Sequence, residues 1–364
     1  MRILHLVNHC DRGHGNAHVA VDLACVQARN GHSVAYASRG GTYLDLMSSF
    51  GVRHEQVVQD RKNPAAALAA VRQLLRFCAA FRPDILHAHM ASGALLGYVV
   101  SKLTRIPLVN TVHNSFDRKS QLMRLGRCIV AVSAAEQELL LRRGFKADRL
   151  HLVVNGPNGS PRESFEPSEL PGISRPAVVT VCGLHPRKGI DYLIRAFARV
   201  ASDQPDWQLY IAGTGPDAES LASRAEALGI AHRVHFLGFV SSPRQLLSAC
   251  EIFVLASLAE PGALAVSEAR AAGCAVIGTS VGGIPEQLEY GRAGVLVDPA
   301  NVVQLAAALQ SLMSDPEQLA SAQQRARRNS ERFNIDRVVR DYDQVYRHAL
   351  ASSALEANFG PAAK

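Results

Sequence analysis

Apolar residues recur along the chain in short continuous runs, with longer amphipathic stretches between them. Strand-like runs occupy residues 3–7, 34–38, 85–89, 108–113, 129–133 and 150–155. Helical spacing fills the intervals, as at 18–30 and 64–81. Runs without polar alternation, separated by helices, predict parallel strands buried on both faces. The pattern breaks at "NGPNGSPRESFEPSELPGISRP" (155–176). That stretch is too rich in Pro, Gly and Ser for a helix or a core strand, and reads as a linker. The pattern then restarts, with strands expected at 178–182, 208–212, 234–237, 252–256, 275–279 and 295–297. Helical spacing fits 190–202, 218–228, 243–249, 264–272 and 302–314, followed by a helical tail at 321–332 and 335–350.

Two successive βα series predict an α/β fold of two doubly wound, Rossmann-like domains facing across a cleft. The expected boundaries are 1–160 for the first domain, 161–176 for the linker and 177–334 for the second. Residues 335–364 are expected to form a helix crossing back to the first domain, then a tail. In such sheets ligands bind at the carboxyl ends of the strands, which here would line the cleft.

Composition narrows the class. With 364 residues the chain exceeds one ordinary core, and 48% hydrophobic with 20% charged residues suits a globular protein in water. No apolar run reaches the roughly 18 residues of a membrane-spanning helix; the best candidate, "ASGALLGYVV" (91–100), stops at Lys102. The start, "MRILHLVN", enters a strand pattern directly, so no signal peptide is expected. The seven cysteines are scattered singly without a CxxC pair, which suggests reduced thiols and the cytoplasm. The sequon at Asn158 would then be idle.

The net charge of +7 is unevenly placed. Residues 1–168 hold 21 Lys+Arg and 12 Asp+Glu, a balance of +9; the remainder holds 18 and 20, a balance of −2. A basic first half suits an anionic partner, and a peripheral position at the inner face of the plasma membrane is one expectation it raises. Its bland counterpart is a solvated surface. A nucleic-acid partner is not expected, because no binding motif appears and aromatics make up only 6%.

The chemistry concentrates in "FVLASLAEPGALAVSEARAAGCAVIGTSVGGIPE" (253–286). Glu260 precedes a helix expected to open near Leu264, and Glu268 lies about one turn inside it. Backbone N–H groups near Gly262, Ala263 and Leu264 have no partner within the helix, and that end carries partial positive charge suited to a diphosphate. Carboxylates do not bind phosphate; they accept hydrogen bonds from hydroxyls. Two hydroxyl-rich bodies flank the diphosphate of a nucleotide-sugar, the ribose and the sugar. Either glutamate alone would more often be a helix N-terminal acid with only an electrostatic role.

Glu260-x7-Glu268 followed by "GGIPE" resembles the retaining glycosyltransferases of family 4, which have the GT-B fold. "GLHPRKGIDYLIRAF", "YIAGTGPDAESL", "RVHFLGFV" and "AGVLVDP" resemble the family's donor half in order and spacing. "ILHAHMASGALLG", "LVNTVHNS" and "IVAVSAAEQELL" resemble its acceptor half more loosely. The resemblance implies that Glu268 binds the ribose hydroxyls, Glu260 the transferred sugar and Lys188 the diphosphate. It sets Gly213, and backbone groups near Phe236 and Gly238, toward the donor and its base. Amides near Gly262, Ala263 and Leu264 would meet phosphates and sugar, and His113 would stand beside the reacting sugar. The family usually has Gly-Arg-Leu where this chain has Cys182-Gly183-Leu184. Arg187 is the candidate to supply the guanidinium that Gly183 lacks.

In the first half, "VNHCDRGHGNAHVAVDLA" places Gly13 and Gly15 between a strand and a helix. The spacing is not GxGxxG, so no dinucleotide is read from it. By resemblance, Gly15 and Asn16 reach the donor or the acceptor. His87 and His89 share one face of a strand end; a metal there would need His113 as third ligand, and a packed or cleft-lining pair is the preferred reading. Asp341 and Asp343 form a D-x-D on the wet face of the tail helix, opposite an apolar stripe of Val338, Tyr342, Val345, Tyr346 and Leu350. That is not a metal–diphosphate site, so no metal and no cofactor are expected.

The sequence therefore points to a retaining glycosyltransferase that moves a hexose-type sugar from a nucleotide-diphosphate donor. UDP is favoured on the family's frequency of use alone. The expected acceptor is a glycan or lipid-linked molecule of polysaccharide or glycolipid assembly. Two other readings share the fold: an epimerase or hydrolase of nucleotide-sugars, and a nucleotide-binding member without catalysis.

Overall fold

The computed structural model describes residues 1–59, 63–165 and 172–359. Residues 166–171 of the expected linker, and the tail beyond 359, lie outside the described residues. The chain divides into two compact units. The first comprises Met1–Asn155, Gly159–Arg162 and the segment from Ile335; the second comprises Gly156–Asn158 and Glu163–Asn334.

The first unit holds strands β1 (Arg2–Leu6), β2 (Ser33–Ser38), β3 (Arg53–Gln56), β4 (Ile85–Ala88), β5 (Leu108–Val112), β6 (Cys128–Ala131) and β7 (Leu150–Leu152). They form one parallel sheet in the order β3-β2-β1-β4-β5-β6-β7. Its strands are short and apolar because both faces are covered. On one face Leu4, Leu6, Leu86 and Ile129 pack with Leu74, Phe77 and Leu96. On the other, Ile3, Ile85, Val109 and Val130 pack with Leu23 and Val26 of the first helix (Gly15–Arg29). The C-terminal helix (Ile335–Phe359) lays Val338, Val339, Tyr342, Val345 and Tyr346 against that same face.

The second unit holds β8 (Ala177–Val181), β9 (Gln208–Ala212), β10 (Val234–Gly238), β11 (Ile252–Leu255), β12 (Ala275–Thr279) and β13 (Val295–Val297). These also pair in parallel, in the order β10-β9-β8-β11-β12-β13. In each sheet the winding reverses once, between β1 and β4 and between β8 and β11. Such a reversal parts the loops at the carboxyl ends of the two strands and opens a crevice for a ligand.

Four local expectations need correction. β3 was not anticipated: its sequence RHEQ carries no apolar run, as suits a half-exposed edge strand. The 155–176 stretch is not free of helix, since Arg162–Phe165 forms a short one. Arg162 is buried and makes bidentate hydrogen bonds to Asp22 at 2.8 and 2.9 Å, so long-range pairing overrides the local turn composition. The penultimate helix runs Pro316–Arg327 rather than 321–332, because the Asp315 carboxylate caps the amides of Glu317 and Gln318 just ahead of Pro316. β7 ends at Leu152, short of the expected 155. Among the described residues no helix is long and apolar enough to cross a membrane.

Candidate active site

The crevice at the carboxyl ends of β8 and β11 gathers the chemistry of the second unit. β8 leads through Gly183 into a single 3-10 turn, Pro186–Lys188, and then the helix Ile190–Ala201. β11 leads through Ser257 and Glu260 into the helix Leu264–Ala272. The two loops are tied together where Leu258 N–H donates to Arg187 O at 2.7 Å. Thr279, at the end of β12, donates its hydroxyl to Ser257 O at 2.6 Å. Sheet geometry therefore fixes both loops.

That tie brings Lys188 to Glu260. Lys188 Nζ donates to Glu260 Oε2, Ser257 Oγ donates to the same oxygen at 3.4 Å, and Arg187 Nη1 stands 3.8 Å from it. The Lys188 and Glu260 side chains are only 12% and 7% exposed, whereas Arg187 is 43% exposed. A carboxylate this buried needs a cation beside it. Burial also pushes the Cys182 thiol up, with Lys188 pulling it back. At Gly183, where the family's arginine would stand, a Cβ would meet the His185 ring at 3.2 Å. Among the described residues, the arginine within ion-pair distance of Glu260 is Arg187.

"GGIPE" has a mechanical task. A Cβ on Gly282 would lie 1.6 Å from Glu260 O, and its φ of +53° is in the left-handed region. Gly283 N–H donates to Glu260 O at 3.0 Å. Only glycine lets this turn close on Glu260. Gly213 meets a similar demand, because a Cβ there would lie 1.8 Å from Cys182 O. Its N–H donates to Gly238 O at 2.7 Å, drawing the ends of β9 and β10 together. Phe236 precedes a register irregularity in β10 that ends at Gly238.

The helix Leu264–Ala272 starts without a side-chain cap. One expected phosphate amide is already engaged: Ala263 N–H donates to Gln287 Oε1 at 3.2 Å, and Gln287 Nε2 returns a bond to Ala263 O at 2.8 Å. Among the described residues the Leu264 amide has no such partner. Glu268, partly buried, lies one turn further on. Behind it the fully buried Arg270 donates to Ala326 O at 2.9 Å and to Glu289 Oε1 at 2.8 Å, fastening the helix to its neighbours. Gln287, Ser257 and Arg270 were not singled out from sequence. Each acts through long-range contacts, and the only local sign is a polar residue on an otherwise apolar stretch.

In the first unit, Gly15 opens the first helix, and Asn16 Oδ1 accepts from Ala17 N–H at 3.0 Å. His113 stands just past β5 and His89 just past β4. His5, His87 and His89 lie close enough together to raise the question of a metal ion. Every ring nitrogen of the three already has a hydrogen-bond partner: His5 to His89 and Gln27, His89 to His113, and His87 to Tyr346 and Thr111. A divalent ion would have to displace these bonds at a fully buried place with no carboxylate in the set. Burial lowers the pKa of all of them, to about 4 for His5 and His113. Asp341 pairs with Arg337 at 2.7 Å. Asp343 is less wet than expected: it is 17% exposed and 3.3 Å from His32.

Comparison with known proteins bears on the family and the fold. The family description "Glycosyltransferase Family 4" matches residues 14–158, and "Glycosyl transferases group 1" matches residues 162–329. An uncharacterized glycosyltransferase of Haemophilus influenzae is 24% identical over 91% of this chain and 96% of its own length. N-acetyl-alpha-D-glucosaminyl L-malate synthase of Bacillus anthracis is 25% identical over 92% and 94%. Anabaena HepE, solved in complex with UDP and glucose, superposes with a TM-score of 0.81 at 22% identity, covering 96% of this chain and 100% of that one. Sucrose-phosphate synthase of Thermosynechococcus elongatus gives 0.79 at 22% identity, over 97% and 100%. The two parallel sheets are those of the GT-B fold, and the chain belongs to glycosyltransferase family 4.

Proposed function

We propose that this glycosyltransferase is a retaining enzyme that moves a hexose-type sugar from a UDP-sugar to a glycan or lipid-linked acceptor in polysaccharide or glycolipid assembly. The observation that carries the reading is the Lys188–Glu260 pair, set beside the start of the helix that bears Glu268. A diphosphate needs a cation and an amide donor; a sugar and a ribose need acceptors for their hydroxyls. All four stand at one sheet reversal. Without donor, Lys188 neutralises Glu260. With donor, its three N–H groups serve carboxylate and phosphate together.

In the reaction the bond between the anomeric carbon and the β-phosphate oxygen breaks, and its electron pair leaves with the diphosphate. Lys188 and Arg187 offset the charge that develops there. The acceptor oxygen bonds to the anomeric carbon on the face the leaving group vacates, and its proton passes to a phosphate oxygen. No side-chain base is required, and Glu260 orients the sugar without becoming a nucleophile. The complexes of Anabaena HepE with UDP and UDP-glucose support UDP as the donor's nucleotide. The basic first half supports an acceptor held at an anionic membrane surface, with the enzyme peripheral on its cytoplasmic side.

Thermal unfolding with UDP, GDP, ADP and dTDP, each with and without EDTA, tests the donor half of the reading. A ligand at about 100 times its Kd adds roughly 2.7 kcal/mol. A rise with UDP alone, unaffected by EDTA, is expected; no rise with any nucleotide overturns it. The anomeric configuration of the product, read by NMR from a labelled UDP-hexose, tests retention.

A further inference from the structure

His113 does not stand alone at the end of β5. Its Nε2 lies 3.1 Å from His89 Nδ1, and His89 Nε2 lies 3.0 Å from His5 Nδ1. His5 Nε2 in turn lies 2.8 Å from Gln27 Oε1, on the first helix. The other end of the Gln27 amide donates to Tyr346 OH on the C-terminal helix at 3.1 Å. From there the chain of bonds continues through His87 to Thr111, at 2.8 Å each. His5, Gln27, His87 and Thr111 are wholly buried, and His89 nearly so.

A neutral imidazole carries one N–H and one bare nitrogen, so it donates at one end and accepts at the other. Burial keeps these rings neutral at physiological pH. In a string of neutral imidazoles the choices are linked, and fixing one end fixes them all. The Gln27 oxygen accepts from His5, so His5 Nε2 bears the proton and Nδ1 is bare. His89 must then donate from Nε2 and accept at Nδ1. His113 therefore donates from Nε2. The second limb is consistent: the Gln27 amide donates to Tyr346 OH, which donates to His87 Nδ1, and His87 Nε2–H donates to Thr111. Reversing the Gln27 amide would reverse every donor and acceptor in both limbs.

We infer that Gln27 is a positioning residue which, through His5 and His89, holds His113 as the Nε2–H tautomer and leaves Nδ1 as a bare acceptor. Among the described residues no hydrogen bond engages that Nδ1. For catalysis the inference rests on the place beside the reacting sugar that the family resemblance implies for His113. There a bare Nδ1 accepts from a sugar hydroxyl, whereas the other tautomer would present a proton to it. The tautomer itself can be measured without substrate.

The experiment is imidazole 15N NMR on the full-length protein labelled at histidine, with His113 assigned by its loss in His113→Ala. A protonated Nε2 and an unprotonated Nδ1 in the wild type, a mixture of tautomers in Gln27→Leu, and a return to the single form in Gln27→Glu are expected. Glutamate still accepts from His5 whereas leucine cannot. The kcat/KM for the donor should fall on the order of tenfold in Gln27→Leu, the scale of one neutral hydrogen bond. A protonated Nδ1 or a mixture in the wild type overturns the inference, even if neither Gln27 variant folds. So does an unchanged single tautomer in Gln27→Leu. Normal transfer by His113→Ala would instead overturn the place of His113 beside the sugar and leave the tautomer result standing.

Discussion

Lys188 and Glu260, 72 positions apart, form a nearly buried ion pair at the carboxyl ends of β8 and β11. One loop alone could not make it. The bond from Leu258 N–H to Arg187 O and the turn at Gly282 hold the two loops at that separation. If the diphosphate binds here as proposed, the pair lets a carboxylate sit beside it without repelling it, because its charge is already matched.

Replacing Lys188 by Ala removes the cation and strands the Glu260 carboxylate. Turnover should fall between tens and thousands of fold, the scale of losing one electrostatic stabiliser. Steady-state kinetics with saturating donor measures it, and near-normal turnover contradicts the role.

Glu268→Gln keeps size and removes charge. If Glu268 accepts from the ribose hydroxyls, the donor Kd should rise about tenfold or more, because hydrogen bonds to a charged acceptor are the stronger kind. A parallel comparison of UDP with uracil separates the effects: the loss should appear with UDP and not with the base.

Arg270→Leu should act on stability rather than on chemistry. Arg270 is fully buried and paired with Glu289, and breaking such a pair from one side costs about 3–5 kcal/mol. Denaturant unfolding of the second unit should show it. A double change, Arg270→Leu with Glu289→Leu, should recover part of the loss, because no charge is then left buried.

The buried histidines predict an acid-sensitive first unit. His5 drops from 6.5 to about 4 through burial. Between those values the unfolded chain binds a proton that the folded chain refuses, so stability rises with pH across that window. The contribution is fully present above 6.5 and is lost as pH falls to about 4. For His5 alone the difference is about 3 kcal/mol. Urea midpoints should fall between pH 7 and pH 5 in the wild type and fall less in His5→Asn. A flat wild-type profile contradicts the burial argument.

What could be read from the chain depended on where each residue's partner lies. β1, β2 and β8–β13 were legible because burial on both faces writes itself as continuous apolar runs. β3 was not, since an edge strand of Arg, His, Glu and Gln carries no such mark. Glu260 and Glu268 drew notice because two carboxylates beside a helix start are local and chemically odd, and Lys188 only through the resemblance to the family. Gln287 was not: its bond to the Ala263 amide spans 24 positions, and glutamine on a short helix looks like any solvent-facing residue. The same holds for Gln27 and His5, whose meaning exists only once β1, β4, β5 and two distant helices share a face. Arg162 shows the reverse error, a Pro- and Gly-rich setting that hides a buried ion pair.

The most direct test of the donor site is isothermal titration of UDP into the wild type, Lys188→Ala and Glu268→Gln, with EDTA present throughout. Saturable binding by the wild type and at least tenfold weaker binding by each variant, all three remaining folded, are expected. Equal affinity in all three, or no binding by the wild type, would contradict a donor site built on Lys188, Glu260 and Glu268.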